Sequence, residues 1–191
     1  MWGTTAACWR RGRCIITATG CGRPGGGSEG GGSCFPAGFA YAGGMNTLPV
    51  TSRDHYLTGQ AALNIPMEDG RFADWHFSEV FLSGRGRFQV AGENFPDTTH
   101  LLGFYGIREC SEVLRRHGLS LPANERVFAA NPVRAALDLV LSAVSNGKVP
   151  LHVTLEDTLD DGAMRLDFDA QLQSLKRRMA DRAALSLLEQ W

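Results

Sequence analysis

The stretch AANPVRAALDLVLSAVSNG, residues 129–147, carries the best-defined helix signal in the sequence. Asn131 is a favoured N-cap, because its side-chain oxygen can accept a hydrogen bond from a backbone N–H of the first turn. Pro132 follows at the first helical position, where its missing N–H has no cost, and Gly147 offers a left-handed end. The apolar residues between them recur at helical spacing. The stretch therefore predicts a core helix around which the remaining elements pack.

Composition divides the chain at Met45. The chain has 191 residues and a formal net charge of −1, so its overall charge favours neither nucleic acid nor an anionic membrane as a partner. The first 44 residues hold 13 of the 23 glycines, four of the five cysteines and a net charge of +3. We predict that residues 1–44 are a low-complexity segment that is disordered or precedes the natural folded product, and that residues 45–191 form a globular domain.

The motifs in residues 1–44 lack the structural context that their chemistry needs. Gly20, Gly22 and Gly25 match a dinucleotide-binding pattern, but more glycine follows where a helix should hold the pyrophosphate. A match to the nucleophile-elbow pattern centred on Ser28 likewise lacks the helix that should follow it. The cysteines are too widely spaced for the paired ligands of a zinc module. A transit peptide stays open as an alternative, since the first 28 residues contain arginines and no acid.

Residues 45–130 contain signals for two helices and an antiparallel pair of strands. The predicted elements are a helix over residues 54–64, strands over residues 74–82 and 87–92 joined by a hairpin loop, a helix over residues 96–118 and a short extended piece over residues 127–130. Gly103 and Gly106 weaken the first half of the second helix, at about 1 kcal/mol each relative to alanine.

The C-terminal part of the sequence predicts one strand and one long helix. Apolar residues alternate over residues 149–155, which is typical of an edge strand that begins near Pro150. From Phe168 to Leu187 apolar residues recur every three or four positions, which predicts a helix over residues 167–189. We favour core packing over a partner-binding seam for this stripe. The predicted fold is therefore a single small α+β domain, with three to four helices on a short antiparallel sheet, after a disordered glycine-rich segment.

One cluster of residues could carry chemistry. If residues 74–82 form a strand, Asp74 and His76 point to the same face, because side chains alternate along a strand. A carboxylate and an imidazole so placed could bind a divalent metal or act as acid and base, and His100 could complete the set. Asp74, His76 and His100 are therefore the candidate catalytic residues. The simpler alternative is that Asp74 caps a turn and His76 is a half-buried polar residue.

The sequence leads to two hypotheses of function. The first is a small cytoplasmic, bacterial accessory or regulatory protein that acts by binding, without a cofactor. Its partner would be a protein, engaged through the C-terminal amphipathic helix, or, with less support, nucleic acid at the basic helical surfaces; no membrane partner is predicted. The second is a metal-dependent hydrolase or nuclease that uses Asp74 and His76. On the surface of the core helix we also expect Arg134 and Asp138 to form an exposed pair one turn apart.

Overall fold

The computed structural model describes residues 48–84, 86–159 and 161–191. The predictions for residues 1–44 lie outside the described residues. Within them, helices pack on a small sheet of four strands, which confirms the α+β prediction for the domain. The strands are β1 (Leu57–Thr58), β2 (Gln89–Val90), β3 (Ile107–Glu109) and β4 (Phe128–Ala130). The helices are α1 (Gly59–Leu63), α2 (Thr99–Leu102), α3 (Ser111–Arg116), α4 (Pro132–Ser145), α5 (Leu155–Thr158), α6 (Gly162–Arg178) and α7 (Arg182–Glu189).

The sheet is mixed, in the order β2-β1-β4-β3, and not purely antiparallel as predicted. β1 is antiparallel to β2, while β1 and β4 are parallel, with Leu57 opposite Ala129. β1 and β4 each lead directly into a helix, α1 and α4, and these two helices pack against each other. Two strand–helix units that pack side by side in this way bring their strands together in the same direction. The predicted sheet was antiparallel because it was based on a hairpin, whose short loop can join only antiparallel strands.

Helix α4 is the centre of the domain, as the sequence predicts. The side chain of Asn131 accepts a hydrogen bond from Arg134 N at 2.8 Å, Pro132 is the first helical residue, and Gly147 has a φ of +69°. α4 packs against α1, α6 and α7, and Leu137 is fully buried. The prediction of a capped core helix is confirmed.

Arg134 and Asp138 are both fully buried, so the expectation of an exposed pair is wrong. Arg134 Nε donates to Asp138 Oδ1 at 2.9 Å. Asp138 Oδ2 also accepts from the hydroxyls of Tyr56 (3.0 Å) and Thr58 (2.6 Å), and its Oδ1 accepts from Thr98 Oγ1. The two ionised side chains are therefore held in one closed hydrogen-bond network.

Every N–H of the Arg134 guanidinium has an acceptor in this network. Nη2 donates to Tyr56 Oη (2.6 Å) and Thr98 Oγ1 (2.9 Å), and Nη1 donates to the carbonyls of Gly103 and Tyr105, both at 2.9 Å. The guanidinium carbon also lies 5.1 Å from the centre of the Tyr56 ring. Burial raises the pKa of Tyr56, and the Asp138 carboxylate adds to the shift, so the phenol stays protonated and remains a donor. The network links β1, α4 and the segments on both sides of α2.

Residues 74–82 are not a strand. Ser78–Leu82 forms a π-helical turn, and Phe77 and Phe81 stack with 4.9 Å between their ring centres in a second core cluster. Their spacing of four residues places both rings on one helical face. The predicted hairpin is therefore also wrong, and β2 pairs with β1 instead.

Glycines interrupt the helix predicted over residues 96–118, which divides into α2, β3 and α3. Gly106 has a φ of +71°, and a Cβ at this position would lie 2.7 Å from both Arg134 Cβ and Asn131 Oδ1. Asn131 N donates to Gly106 O at 2.7 Å. Gly106 thus lets the chain pass close to the start of α4, so that β3 can pair with β4.

Two further elements differ from their predictions. The helix predicted over residues 54–64 begins only at Gly59, because β1 occupies Leu57–Thr58. The strand predicted over residues 149–155 is a turn followed by α5, in which Val153 N donates to Pro150 O at 3.0 Å. The alternating apolar residues of this segment do not share one face of a sheet. Val153 is buried, whereas Leu151 is 76% exposed and has no paired strand.

The C-terminal helix is divided into α6 and α7 rather than continuous over residues 167–189. The side chain of Asp181 accepts from Ala183 N (2.9 Å) and Ala184 N (3.2 Å), which caps a new helix at this point. Phe168, Leu172 and Leu175 are buried in the main core cluster, which confirms core packing for the α6 part of the stripe. In the described part of the chain, no helix is both long and apolar enough to cross a membrane.

Candidate functional site

Two cavities of about 370 and 520 Å³ adjoin each other along one side of α4. Both are lined by Gln60 from α1, Leu139 from α4 and His152 from the turn before α5, so they form one continuous depression. We name this depression the α4 groove. Leu139 contributes an apolar floor, being 6% exposed, while Gln60 and His152 are exposed and polar.

The two ends of the α4 groove differ in charge. Asp74, Trp75, Thr154 and Asp157 line one end, and Gln89, Asn146 and Lys148 line the other. Asp157 Oδ2 accepts a hydrogen bond from Thr154 Oγ1 at 2.6 Å, which orients the carboxylate. The groove therefore has an acidic end beside an exposed aromatic ring and an end that carries a lysine.

Asp74 is held firmly at the acidic end. Its N–H donates to Leu63 O at 3.0 Å, and its Oδ2 accepts from Asn64 Nδ2 at 3.3 Å. The Asn64 amide also donates to Gln60 O at 2.9 Å, which fixes its orientation. These contacts attach the segment that carries Asp74 to the C-terminal end of α1.

Asp74 and His76 are hydrogen-bonded to each other. His76 Nδ1 contacts Asp74 Oδ1, and His76 N donates to the same oxygen at 3.3 Å. The hydrogen bond to Asp74 is the main cause that holds the pKa of His76 above its ordinary value. The two side chains meet through a tight turn and not through the strand alternation that suggested the pair.

Trp75 stacks on His76, with 4.2 Å between the ring centres and 27° between the planes. The residue is 80% exposed. Because His76 is fixed by Asp74, it supports one face of the indole while most of the ring remains open to solvent. Tryptophan is enriched among the residues that contribute most of the binding energy at protein interfaces.

The third candidate residue, His100, and the acidic residue Asp69, which precedes Asp74 in the sequence, lie elsewhere. His100 is on α2 and lines a different cavity, together with Asp97. Asp69 pairs with Arg71 at 2.8 Å, and Arg71 also contacts Asp161 at 3.1 Å. Among the residues that the structure describes, no group of three or more His, Cys, Asp or Glu side chains is arranged to hold a metal ion.

Comparison of the chain with protein-family models, curated proteins and solved structures finds no match.

Sequence reasoning missed most of the α4 groove. Neither His152 nor Asp157 was among the candidate residues. Gln60, Asp74 and His152 are far apart in the chain, and only the packing of α1, α4 and α5 brings them together. The one available signal was the carboxylate–aromatic–imidazole sequence Asp74–Trp75–His76, which did mark the acidic end.

Proposed function

We propose that the protein acts by binding, and that the α4 groove receives an extended basic segment of a protein partner. The observation that carries the proposal is Trp75, 80% exposed and stacked on His76 at the edge of the groove. Tryptophan loses little side-chain entropy when it is already fixed, and its burial by a partner gives a large favourable contribution. Leu151, which is 76% exposed and precedes His152, adds a second apolar contact near the groove.

Charge favours a basic segment at the Trp75 end. Asp157 and Glu156 are exposed on α5, and Asp74 lies across the same cavity. A lysine or arginine of the partner would approach these carboxylates and could also lie over the free face of Trp75 as a cation–π pair. The same carboxylates would repel phosphates, which disfavours nucleic acid as the occupant of this groove.

The C-terminal helix supports partner binding less well than the groove. The stripe that suggested a partner-binding seam contributes Phe168, Leu172 and Leu175 to the protein's own core. The last turn of α6 carries Lys176, Arg177 and Arg178, where cationic side chains are favoured by the helix dipole.

The experiment is a selection of random displayed peptides on the full-length protein, followed by measurement of Kd for the selected peptides by fluorescence polarisation. We expect the selected peptides to be rich in lysine and arginine. Trp75→Ala should weaken their binding by about 30-fold, which corresponds to about 2 kcal/mol at an interface hot spot. Phe104→Ala is the matched control, because Phe104 is also exposed (52%) but does not line the groove.

Two results would contradict the proposal. One is that no peptide is enriched relative to the same selection carried out on an unrelated protein. The other is that Trp75→Ala and Phe104→Ala bind the selected peptides as tightly as the parent protein.

A metal-assisted hydrolase is the second candidate, favoured by the hydrogen-bonded Asp74–His76 pair beside a cavity. In this alternative the pair supplies two protein ligands, and water and substrate complete the coordination. Calorimetric titration with Mn²⁺ and with Zn²⁺ tests it. Saturable binding that disappears in His76→Ala supports the hydrolase, whereas the absence of binding to either metal removes it.

The proposed setting is the cytoplasm of a bacterium. Its support is the use of 17 arginines against two lysines, which is typical of a GC-rich coding sequence, and a reduced buried thiol at Cys110. Fractionation of the native host, with detection by antibody, tests the location. Recovery in the secreted or envelope fraction would contradict it.

A further inference from the structure

A separate cavity of about 280 Å³ lies between α2, α4 and the turn that joins α6 to α7. We name it the α2–α7 cavity. Its wall is mainly apolar, and the apolar residues are Pro96, Leu101, Leu141, Val144, Met179, Ala180 and Ala184. Leu141 and Val144 belong to the buried face of α4, so this wall is part of the rigid core.

Two of the polar residues of the α2–α7 cavity are acidic. Asp97 and Asp181 line it, together with Thr98, His100 and Ser145. Asp97 Oδ1 accepts from Thr99 N (2.8 Å) and Thr99 Oγ1 (2.6 Å), while Asp181 Oδ1 accepts from the first N–H groups of α7. Both carboxylates are therefore fixed in position by local hydrogen bonds rather than paired with a cationic side chain.

The ionised form of Asp97 is favoured. Partial burial raises the pKa of this carboxyl group, but the hydrogen bonds from Thr99 and the nearby charges of His100 and Arg134 together outweigh the burial, and the net result is a pKa below the ordinary value. At neutral pH the cavity therefore combines an apolar interior with fixed negative charge.

We infer that the α2–α7 cavity binds a small organic amine, with its apolar body against Leu141 and Val144 and its ammonium group facing Asp97 and Asp181. The volume is close to the lower end of the range for ligand pockets, about 300–1,000 Å³, which suits one aromatic ring or a short alkyl chain. An organic anion of the same shape would meet two carboxylates and is excluded by like-charge repulsion. The site is distinct from the α4 groove and does not depend on the function proposed for that groove.

The probes are phenethylamine and 3-phenylpropionate, which have the same apolar body and opposite charges. We expect phenethylamine to cause saturable NMR shifts of the methyl groups of Leu141, Val144 and Ala184 in the full-length protein. The affinity for 3-phenylpropionate should be at least tenfold lower.

Two substitutions test the position of the ligand. Ala184→Phe fills the cavity from α7 and should abolish the shifts at Leu141 and Val144. Ala180→Phe obstructs the cavity from an exposed position in the turn, and it gives the same test if Ala184→Phe fails to fold.

Two further substitutions test the charge. Asp97→Asn should weaken the binding of phenethylamine by about threefold, which is the expected effect of removing a partly exposed ion pair. Asp169→Asn, at an exposed position of α6 outside the cavity, should leave the affinity unchanged. The inference is overturned if no saturable shifts occur, if they persist in the filled variants, or if the two probes bind equally well.

Discussion

Replacement of Arg134 by methionine should destabilise the domain far more than replacement of an exposed charged residue. Methionine keeps most of the side-chain volume but removes the cation that neutralises Asp138. Asp138 would retain the three hydroxyl donors from Tyr56, Thr58 and Thr98, yet its charge would lie uncompensated in a fully buried site.

The expected cost is about 3–5 kcal/mol, the usual result of removing one partner of a buried ion pair. The carbonyls of Gly103 and Tyr105 also lose their arginine donors, which adds to the cost rather than reducing it. The free energy of unfolding of a domain is typically only about 5–15 kcal/mol, so about a fifth or more of the stability would be lost. The melting temperature should fall by about 10 °C or more.

Urea denaturation followed by far-UV circular dichroism measures this change. Arg116→Met is the matched control, since Arg116 is exposed on α3, and its effect should be within about 0.5 kcal/mol. The double variant Arg134→Met/Asp138→Leu should be less destabilised than the sum of the single variants, by about 0.5–3 kcal/mol. If Arg134→Met costs no more than Arg116→Met, or if the double variant is strictly additive, the buried network does not exist as described.

The remaining predictions concern the turn glycines, the core helix and the Asp74–His76 pair. Gly106→Ala should lower the free energy of unfolding by about 2–4 kcal/mol in the same denaturation assay, because strain from the positive φ adds to a close contact. Gly147→Ala should lower it by only about 1–2 kcal/mol, because Gly147 has a positive φ but open space around it. Equal costs would contradict the close passage of Gly106 beside α4. Leu137→Asp should prevent folding by burying an unpaired charge, and a thermal melt like that of the parent protein would show that the core is misplaced. His76 should titrate by NMR above its ordinary pKa and return toward it in Asp74→Asn; its contribution to stability is therefore present below the ordinary pKa of about 6.5 and is lost as the pH rises through the raised value. Identical titration curves for the two proteins would contradict the hydrogen bond.

The local signals of α4 were sufficient to predict it. Asn131, Pro132 and Gly147 act through their own backbone geometry, which depends little on the rest of the chain. The same holds for the extended piece that became β4. Gly103 and Gly106 were also correctly singled out as weak points of a helix, although the sequence did not indicate that the chain would change to a strand there.

Elements whose structure depends on distant contacts were predicted wrongly. Phe77 and Phe81 are helical because a second core cluster receives both rings, and nothing within residues 74–82 shows that cluster. The alternation over residues 149–155 resembles a strand, but no neighbouring strand is available to pair with it in the described sheet.

The buried Arg134–Asp138 pair had one signal that was not used. Ala135, Leu139 and Ala143 make α4 apolar on the side away from Leu137 as well, and a helix that is apolar all round is buried all round. Two charged residues of opposite sign one turn apart in such a helix should be expected to lie in the core and to pair with each other. Their hydroxyl donors could not be predicted, because Tyr56 and Thr98 are 82 and 40 positions away from Asp138 in the chain.

The candidate site was predicted only at its acidic end. Asp74 and His76 do contact each other, through a turn, while His100 belongs to the α2–α7 cavity. The remainder of the α4 groove is formed by the packing of α1, α4 and α5, and no short stretch of the sequence indicates it.

The most direct test of the account is an NMR map of the full-length protein titrated with a basic peptide selected on it. The expected result is that the largest shifts fall on the Trp75 indole, the Gln60 side-chain amide and His152, with little change on α6 and α7. Shifts confined to the basic surface of α6, with the Trp75 and Gln60 signals unmoved, would contradict the assignment of the α4 groove as the binding site.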